Sequence, residues 1–340
     1  MPISWNLDVS AFLVLLSKNQ EVAFRRANKR LSDVLSLAPV SGLQGYLQSY
    51  MSVVDVQDRE YISPYGRKRA PLRDMRLAQM IARTGVLDDG HVTTYQIDND
   101  AQPSAQSRRM VVRCWLVTIT SWILFSALIL IAFQASSITW VGKSNLLALG
   151  IWSVFLRVLD AVSLTPSESK PLFPDRPDAV IFLGRRNSAF ILEGTREDVL
   201  QWTGLGLRYR TAWGLKYLHI ISRIGTLLLL AFMFLTIPSG SSDDRALFFS
   251  YNVLGQLNTW LGLHMHTRRT FLELEPLSKI PVATRTHVYA VLLRRFQEEK
   301  GWTEYVNILP RTPVWNEWRR QVVEVDEDAK VLWERIADSM

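Results

Sequence analysis

CWLVTITSWILFSALILIAF, residues Cys114 to Phe133, runs for twenty residues without a charge. At 1.5 Å per residue such a helix spans roughly 30 Å, the thickness of a bilayer's hydrocarbon core. Arg108, Arg109 and Arg113 stand just before it. The run predicts an integral membrane protein and turns the reading away from most soluble enzymes.

Outward from this run the chain is mixed. Its 340 residues are 48% hydrophobic and 21% charged, more charge than a protein lying wholly in lipid carries. That length accommodates one membrane bundle with one or two modest cytosolic modules. The formal net charge of +7 fits cytosolic flanks that face anionic lipid and gives no ground for a nucleic-acid partner. Cys114 is the single cysteine, which excludes an intramolecular disulfide and a cysteine-type zinc site. No metal is expected, and the sequence specifies no cofactor. AFLVLL (Ala11 to Leu16) is too short for a signal peptide and follows Asp8, with no basic segment before it.

Three further spans are expected. The second, Trp140 to Leu164, is interrupted by Arg157 and Asp160; three apart, they share a helix face and can pair with each other. The third runs from Lys216 to Ile237, where Pro238 stops it, with His219 and Arg223 in its first turns. The fourth runs from about Ala246 to His266. Asn252, Gln256 and Thr259 form a polar stripe along it that should face other helices and not lipid. Four spans put both termini on one side. The connections outside them hold Lys143 and Arg245, against seven Lys and Arg in the middle loop, residues 165–215. The positive-inside rule then makes both termini and that loop cytosolic. The residues do not choose between the endoplasmic reticulum and the plasma membrane.

The expected architecture is an all-α membrane bundle of four transmembrane helices with cytosolic helical ends. Residues 1–107 form an N-terminal region, 108–164 the first two spans and 165–215 a loop module. Residues 216–266 form the last two spans, and 267–340 a helical tail. In the N-terminal region a helix is expected from Asp8 to Leu37, with Phe24 on its apolar side and Arg25, Arg26, Lys29 and Arg30 on its polar side. A second helix is expected from Pro71 to Thr84 with Gly85 closing it, then a strand over His91 to Ile97 and a polar linker, residues 98–107. In the loop, DAVIFLG and SAFILEG flank Arg185-Arg186-Asn187 as a hairpin. Thr195 caps a short helix after it, which makes a small ββα module. The tail carries helices over Val282 to Lys300, from Thr312-Pro313 through Trp315 and Trp318, and over Asp326 to Ser339.

No phosphate-binding loop, nucleophile elbow or HExxH motif is present. One constellation follows from the antiparallel spans, which bring Arg113, Arg157, Asp160, His219, Arg223, His264 and His266 to a single cytosolic membrane level. Asp160, His219, His264 and His266 are the catalytic or proton-relay candidates. Arg113, Arg157 and Arg223, with Asn252 and Gln256, are the substrate-binding candidates, the arginines toward a lipid or isoprenoid phosphate. The commoner role for such groups is anchoring at the interface and pairing within the bundle. His264 and His266 lie about 200° apart around a helix and cannot both enter one site unless the helix unwinds. Glu273 and Glu275 form a weaker acid pair. Trp115, Trp140 and Trp213 read as interface anchors, and Trp315 and Trp318 as packing.

DAVIFLGRRNSAFILEG (Asp178 to Gly194), with the following TREDVLQW, resembles a segment of uncharacterised polytopic membrane proteins of filamentous fungi. The resemblance covers a small share of the chain. It implies a eukaryotic internal or plasma membrane and a neighbourhood of specialised metabolism, and it carries no known activity. The leading expectation is a membrane protein that anchors or organises partners through its cytosolic face, with the bilayer and cytosolic proteins as its partners. One alternative is an enzyme acting on a lipid or terpenoid-like substrate through the His/Asp/Arg cluster. Another is an oligomeric transporter or channel subunit with the stripe of span four lining its path.

Overall fold

The computed structural model describes residues 18–27, 40, 42–48, 59–97, 105–166, 171–204, 207–210, 213–299, 301–325 and 327–339, with the side chains of residues 18, 19, 26, 27, 105–107, 164, 166, 207–209, 213 and 266 outside that set. The expected N-terminal helix falls within it only as α1 (Lys18–Ala27), which is followed by a 3-10 turn, Leu43–Tyr46. Most of the expected linker lies outside it. β1 (Glu60–Ser63) and β2 (Lys68–Pro71) then form a hairpin. α2 (Met75–Thr84) starts on Asp74, whose side chain accepts the Arg76 N–H, and ends on Gly85 at φ 67°. It does not start at Pro71, because Pro71 closes β2 opposite Glu60. β3 (His91–Ile97) follows.

α3 (Ala105–Gln134) and α4 (Trp140–Ser163) are the first long helices. Behind them come β4 (Leu164–Pro166), β5 (Pro177–Leu183), β6 (Ala189–Thr195), α5 (Arg196–Thr203) and β7 (Leu207–Tyr209), which pairs with β4. Two more long helices, α6 (Trp213–Thr236) and α7 (Ser242–Leu272), lead to β8 (Leu274–Pro281). The tail holds α8 (Arg285–Arg295), α9 (Trp302–Tyr305), α10 (Pro313–Glu324) and α11 (Ala329–Ser339). α8 is capped by Thr284 and α10 by Thr312, each accepting the backbone N–H three residues on.

These elements fold into two compact units, each assembled from three stretches of chain. One comprises Met1–Val56, Ala105–Ser167 and Gly206–Arg269; the other comprises Gln57–Ser104, Glu168–Leu205 and Thr270–Met340. The second unit corrects the all-α expectation. It is built on a six-stranded mixed sheet in the order β2-β1-β5-β6-β3-β8. The β5–β6 hairpin, expected to make a small ββα module with α5, is the middle of that sheet. β6 runs parallel to β3, with Val92 opposite Ala189, and β3 runs antiparallel to β8, with Ile97 opposite Leu274.

Alternation along the strands separates the two faces of the sheet. Val180, Phe182, Phe190 and Leu192 point to one side, where Leu77, Met80 and Ile81 of α2 and Val199 and Trp202 of α5 cover them. Ala179, Ile181, Ala189 and Ile191 point to the other, under Val288 and Leu292 of α8, Trp318 and Val322 of α10, and Leu332 of α11. A sheet covered on both faces needs near-continuous apolar strands, which is how β5 and β6 read. Trp318 is fully buried there, and its indole N–H donates to the Ala329 carbonyl at 3.0 Å.

The first unit is a helical bundle. Three of its segments are long and apolar enough to cross a membrane: Arg108–Gln134, Trp140–Ser163 and Gly214–Ser239. α7 has the length, 31 residues, but Asn252, Gln256 and Asn258 lower its hydropathy, so it stands apart from those three. Apolar packing between α3, α4, α6 and α7 runs through Phe125, Leu146, Leu149, Leu156, Leu230, Met233, Leu247 and Tyr251. Polar pairs cross between the helices as well. The Trp152 indole donates to the Thr226 hydroxyl at 2.9 Å, the Asn145 amide to the Thr236 hydroxyl at 2.9 Å, and the Ser121 hydroxyl to the Asn258 carbonyl oxygen at 2.8 Å. In hydrocarbon such bonds join helices that the hydrophobic effect alone would not. The outer faces carry Ile123, Leu130, Ile151, Leu227, Leu228 and Leu235, all exposed and apolar.

Candidate functional site

Four charged side chains and a phenol meet inside the helical bundle. α1 presents Glu21 and Arg25, four residues apart and so on one face. α4 presents Arg157 and Asp160, three residues apart. Each helix offers one acid and one base, and each acid meets the base of the other helix. Arg25 donates from Nε to Asp160 Oδ2 at 2.8 Å and from Nη2 to Oδ1 at 2.9 Å. Arg157 forks onto Glu21, with Nη2 donating to Oε2 at 3.0 Å and Nη1 lying 2.5 Å from Oε1. Both contacts are bidentate, the strongest geometry for a guanidinium and a carboxylate.

The 3-10 turn Leu43–Tyr46 completes the cluster. The Tyr46 hydroxyl donates to Asp160 Oδ2 at 2.9 Å and accepts from Arg157 Nη1 at 3.3 Å. The Gly45 carbonyl accepts from Arg25 Nη1 at 2.8 Å. The Arg25 guanidinium lies 4.0 Å from the Tyr46 ring centroid, and that of Arg157 lies 4.8 Å from the Phe24 ring centroid. Glu21 and Tyr46 are 0% exposed, Arg25 2%, and Arg157 and Asp160 3% each. Two cations and two anions make the cluster neutral. Isolated charges at this burial would be prohibitively costly, whereas paired and hydrogen-bonded ones are tolerated.

Arg157 and Asp160, whose spacing lets them pair with each other, are thus each also paired with α1. Arg25, expected on the polar side of the N-terminal helix, is buried. His219 on α6 is 7% exposed and within electrostatic reach of Asp160 and Arg25. The remaining candidates do not join the cluster. His264 is exposed and stacks on Trp260, with ring centroids 6.0 Å apart. Arg113 and Arg223 are exposed on their helices. The side chain of His266 lies outside the described residues. Asn252 is buried but donates its amide to the Phe248 carbonyl of its own helix at 2.9 Å. Thr259 does the same toward Gly255 at 3.0 Å, and Gln256 is half-buried. Glu273 and Glu275 are both exposed. Among the described residues, no group of three or more His, Cys, Asp or Glu could hold a metal ion.

Glu21, Arg25, Tyr46 and Asn258 belong to the polar interior and were not legible as such in the sequence. One signal was available: Glu21 and Arg25 have helical spacing and the charges complementary to the Arg157/Asp160 pair. Chemically the cluster has no idle acid or base. Each carboxylate is forked by a guanidinium, which suits it to hold two helices together and not to exchange protons with a substrate.

The chain thus combines a helical bundle, three of whose segments are long and apolar enough to cross a membrane, with a helix-covered mixed sheet. No family model, curated protein or solved structure matches the chain.

Proposed function

We propose that the chain is a four-crossing membrane protein that anchors or organises cytosolic partners through its sheet unit, with both termini in the cytosol. The fourth crossing, α7, is supported by parity. The sheet takes strands from three chain stretches, separated by α3 and α4 and then by α6 and α7. Strands bonded into one sheet lie on one side of a bilayer, so each helix pair crosses an even number of times. If α6 crosses, α7 crosses back, and β8 reaches β3. The polar residues of α7 are compatible with that, since Asn252, Asn258 and Thr259 are buried at 3%, 4% and 0% exposure. The density of Lys and Arg in residues 165–215 supports a cytosolic sheet.

The observation that carries the non-enzymatic reading is the double ion pair, Glu21 with Arg157 and Arg25 with Asp160. It occupies Arg157 and Asp160, two of the charged groups on which a lipid-active enzyme at this level would depend. The Ser121–Asn258 bond between α3 and α7, and the bonds of Asn252 and Thr259 to their own helix, weigh against a path along the polar stripe. The test pairs two measurements on cells carrying the full chain. His219→Ala, at unchanged protein level, leaves lipid and metabolite profiles as in wild type, while proximity labelling from the C-terminus recovers a reproducible set of cytosolic proteins. Loss of a lipid product in His219→Ala, or labelling no different from that of an unrelated membrane protein, overturns the reading.

A further inference from the structure

α6 sorts its residues by face. Leu215, His219, Ser222, Thr226, Leu230 and Met233 are buried in the bundle. Ile220, Ile224 and Leu227, at 53%, 54% and 59% exposure, form an outer apolar surface of the kind that meets lipid. Arg223 is exposed in the middle of that surface. Among the described residues it has no ion pair and no hydrogen bond, and its electrostatic neighbour, His219, supplies no anion. A guanidinium without a counter-charge on a lipid-facing helix is costly and calls for an anion from the surroundings.

Depth narrows the choice of anion. The apolar segment Gly214–Ser239 has 26 residues, about 39 Å of helix, against a hydrocarbon core of roughly 30 Å. With the overhang shared between its two ends, Arg223, nine residues after Gly214, lies roughly 9 Å beneath the edge of the hydrocarbon, a depth from which a long guanidinium side chain snorkels toward the phosphates. Helical side chains lean toward the helix N-terminus, so Arg223 reaches back toward the interface. Lys216, seven residues earlier and also exposed, lies on the same face in that direction. The anion available at this depth, with the geometry a guanidinium prefers, is a phospholipid phosphate.

We infer that Arg223, with Lys216 above it on the same face of α6, is a binding site for the phosphate of an anionic membrane phospholipid. The inference rests on α6 crossing the bilayer, as in the proposed function. Arg223 grips the phosphate, and Lys216 favours a headgroup with negative charge to spare. Because Arg223 is exposed on the outer face of α6, its replacement leaves the fold intact.

The test uses the purified full chain, stripped of lipid in detergent and titrated with phosphatidic acid, phosphatidylcholine or diacylglycerol of matched acyl chains, followed by native mass spectrometry. Wild type binds phosphatidic acid best and diacylglycerol least, and Arg223→Gln weakens phosphatidic acid binding about tenfold. Arg223→Leu keeps the wild-type Tm, while Arg223→Lys restores part of the binding. Equal binding by Arg223→Gln and wild type overturns the inference. So does a lower Tm in Arg223→Leu, displacement of the lipid by millimolar inorganic phosphate, or a protein dimer that Arg223→Gln abolishes. A single cysteine at Ile224, in a Cys114→Ala background, separates the two failures. If water-borne maleimide labels it in nanodiscs, the crossing itself fails; if it stays protected while lipid binding is unchanged in Arg223→Gln, only the phosphate site fails.

Discussion

Arg25 and Asp160 stand 135 positions apart in sequence and share two hydrogen bonds, 2.8 and 2.9 Å long, inside the helical bundle. Breaking one partner of such a buried pair strands a charge and costs about 3–5 kcal/mol, whereas replacing both with apolar residues of similar size is often neutral. Arg25→Met and Asp160→Asn should each lower the Tm in detergent sharply, and Arg25→Met with Asp160→Leu should recover most of the loss. The reciprocal exchange Glu21→Arg with Arg157→Glu should be closer to wild type than either single change. Additive losses in both double variants would contradict the pairing.

The contact between α4 and α6 relies on a residue without a side chain. A Cβ on Gly225 would overlap the Trp152 ring, whose indole N–H bonds to the neighbouring Thr226. Gly225→Ala should therefore overpack the interface and cost about 1–3 kcal/mol. Trp152→Leu in the same chain should relieve part of it, as thermal unfolding in detergent will show. A Gly225→Ala protein as stable as wild type would mean that the helices are not this close.

Acid should loosen the tail of the sheet unit. His287 Nε2 lies 2.8 Å from Asp328 Oδ2, and Asp328 also accepts the backbone N–H groups of Val331 and Lys330 at the start of α11. The His287 bond, with those two N–H groups, holds the Asp328 carboxyl down at about 2. A carboxyl with a folded pKa below its unfolded value of about 3.9 stabilises the fold above that pH and loses the effect as pH falls through the folded value. Tryptophan fluorescence, sensitive to Trp318 and Trp333 between the tail helices, should begin to shift between about pH 4 and 2. Asp328→Ala should remove that pH-dependent part; an unchanged acid profile in the variant would contradict it.

The span from Cys114 and the hairpin around Arg185-Arg186-Asn187 were legible because each rests on a local pattern, an unbroken apolar run in one and two β-favouring runs with a short turn in the other. The sheet was not. β3 is flanked in space by β6 and β8, yet each lies beyond a pair of long helices in sequence, and no local periodicity encodes that partnership. The same non-locality hid the charge cluster. Arg157 and Asp160 can pair with each other at helical spacing, and Arg25 reads as one of four cations on the polar side of a helix; only the packing of α1 against α4 brings the two pairs together. Asp74 displaced Pro71 as the start of α2 because a strand pairing claimed the proline, a competition visible only once β1 is alongside.

The proposed even number of crossings between the three chain stretches of the sheet is tested most directly by cysteine accessibility. In a Cys114→Ala background, single cysteines are placed at Asp88, Arg186 and Glu334, one in each sheet stretch. Two more stand at Ser137, between α3 and α4, and at Ser239, between α6 and α7. Membrane-impermeant maleimide applied from the non-cytosolic side of sealed membranes should label positions 137 and 239 only. It should reach positions 88, 186 and 334 only after permeabilisation. Labelling of position 239 on the same side as positions 88, 186 and 334 would show that α6 and α7 do not cross, and the four-span topology would fall with them.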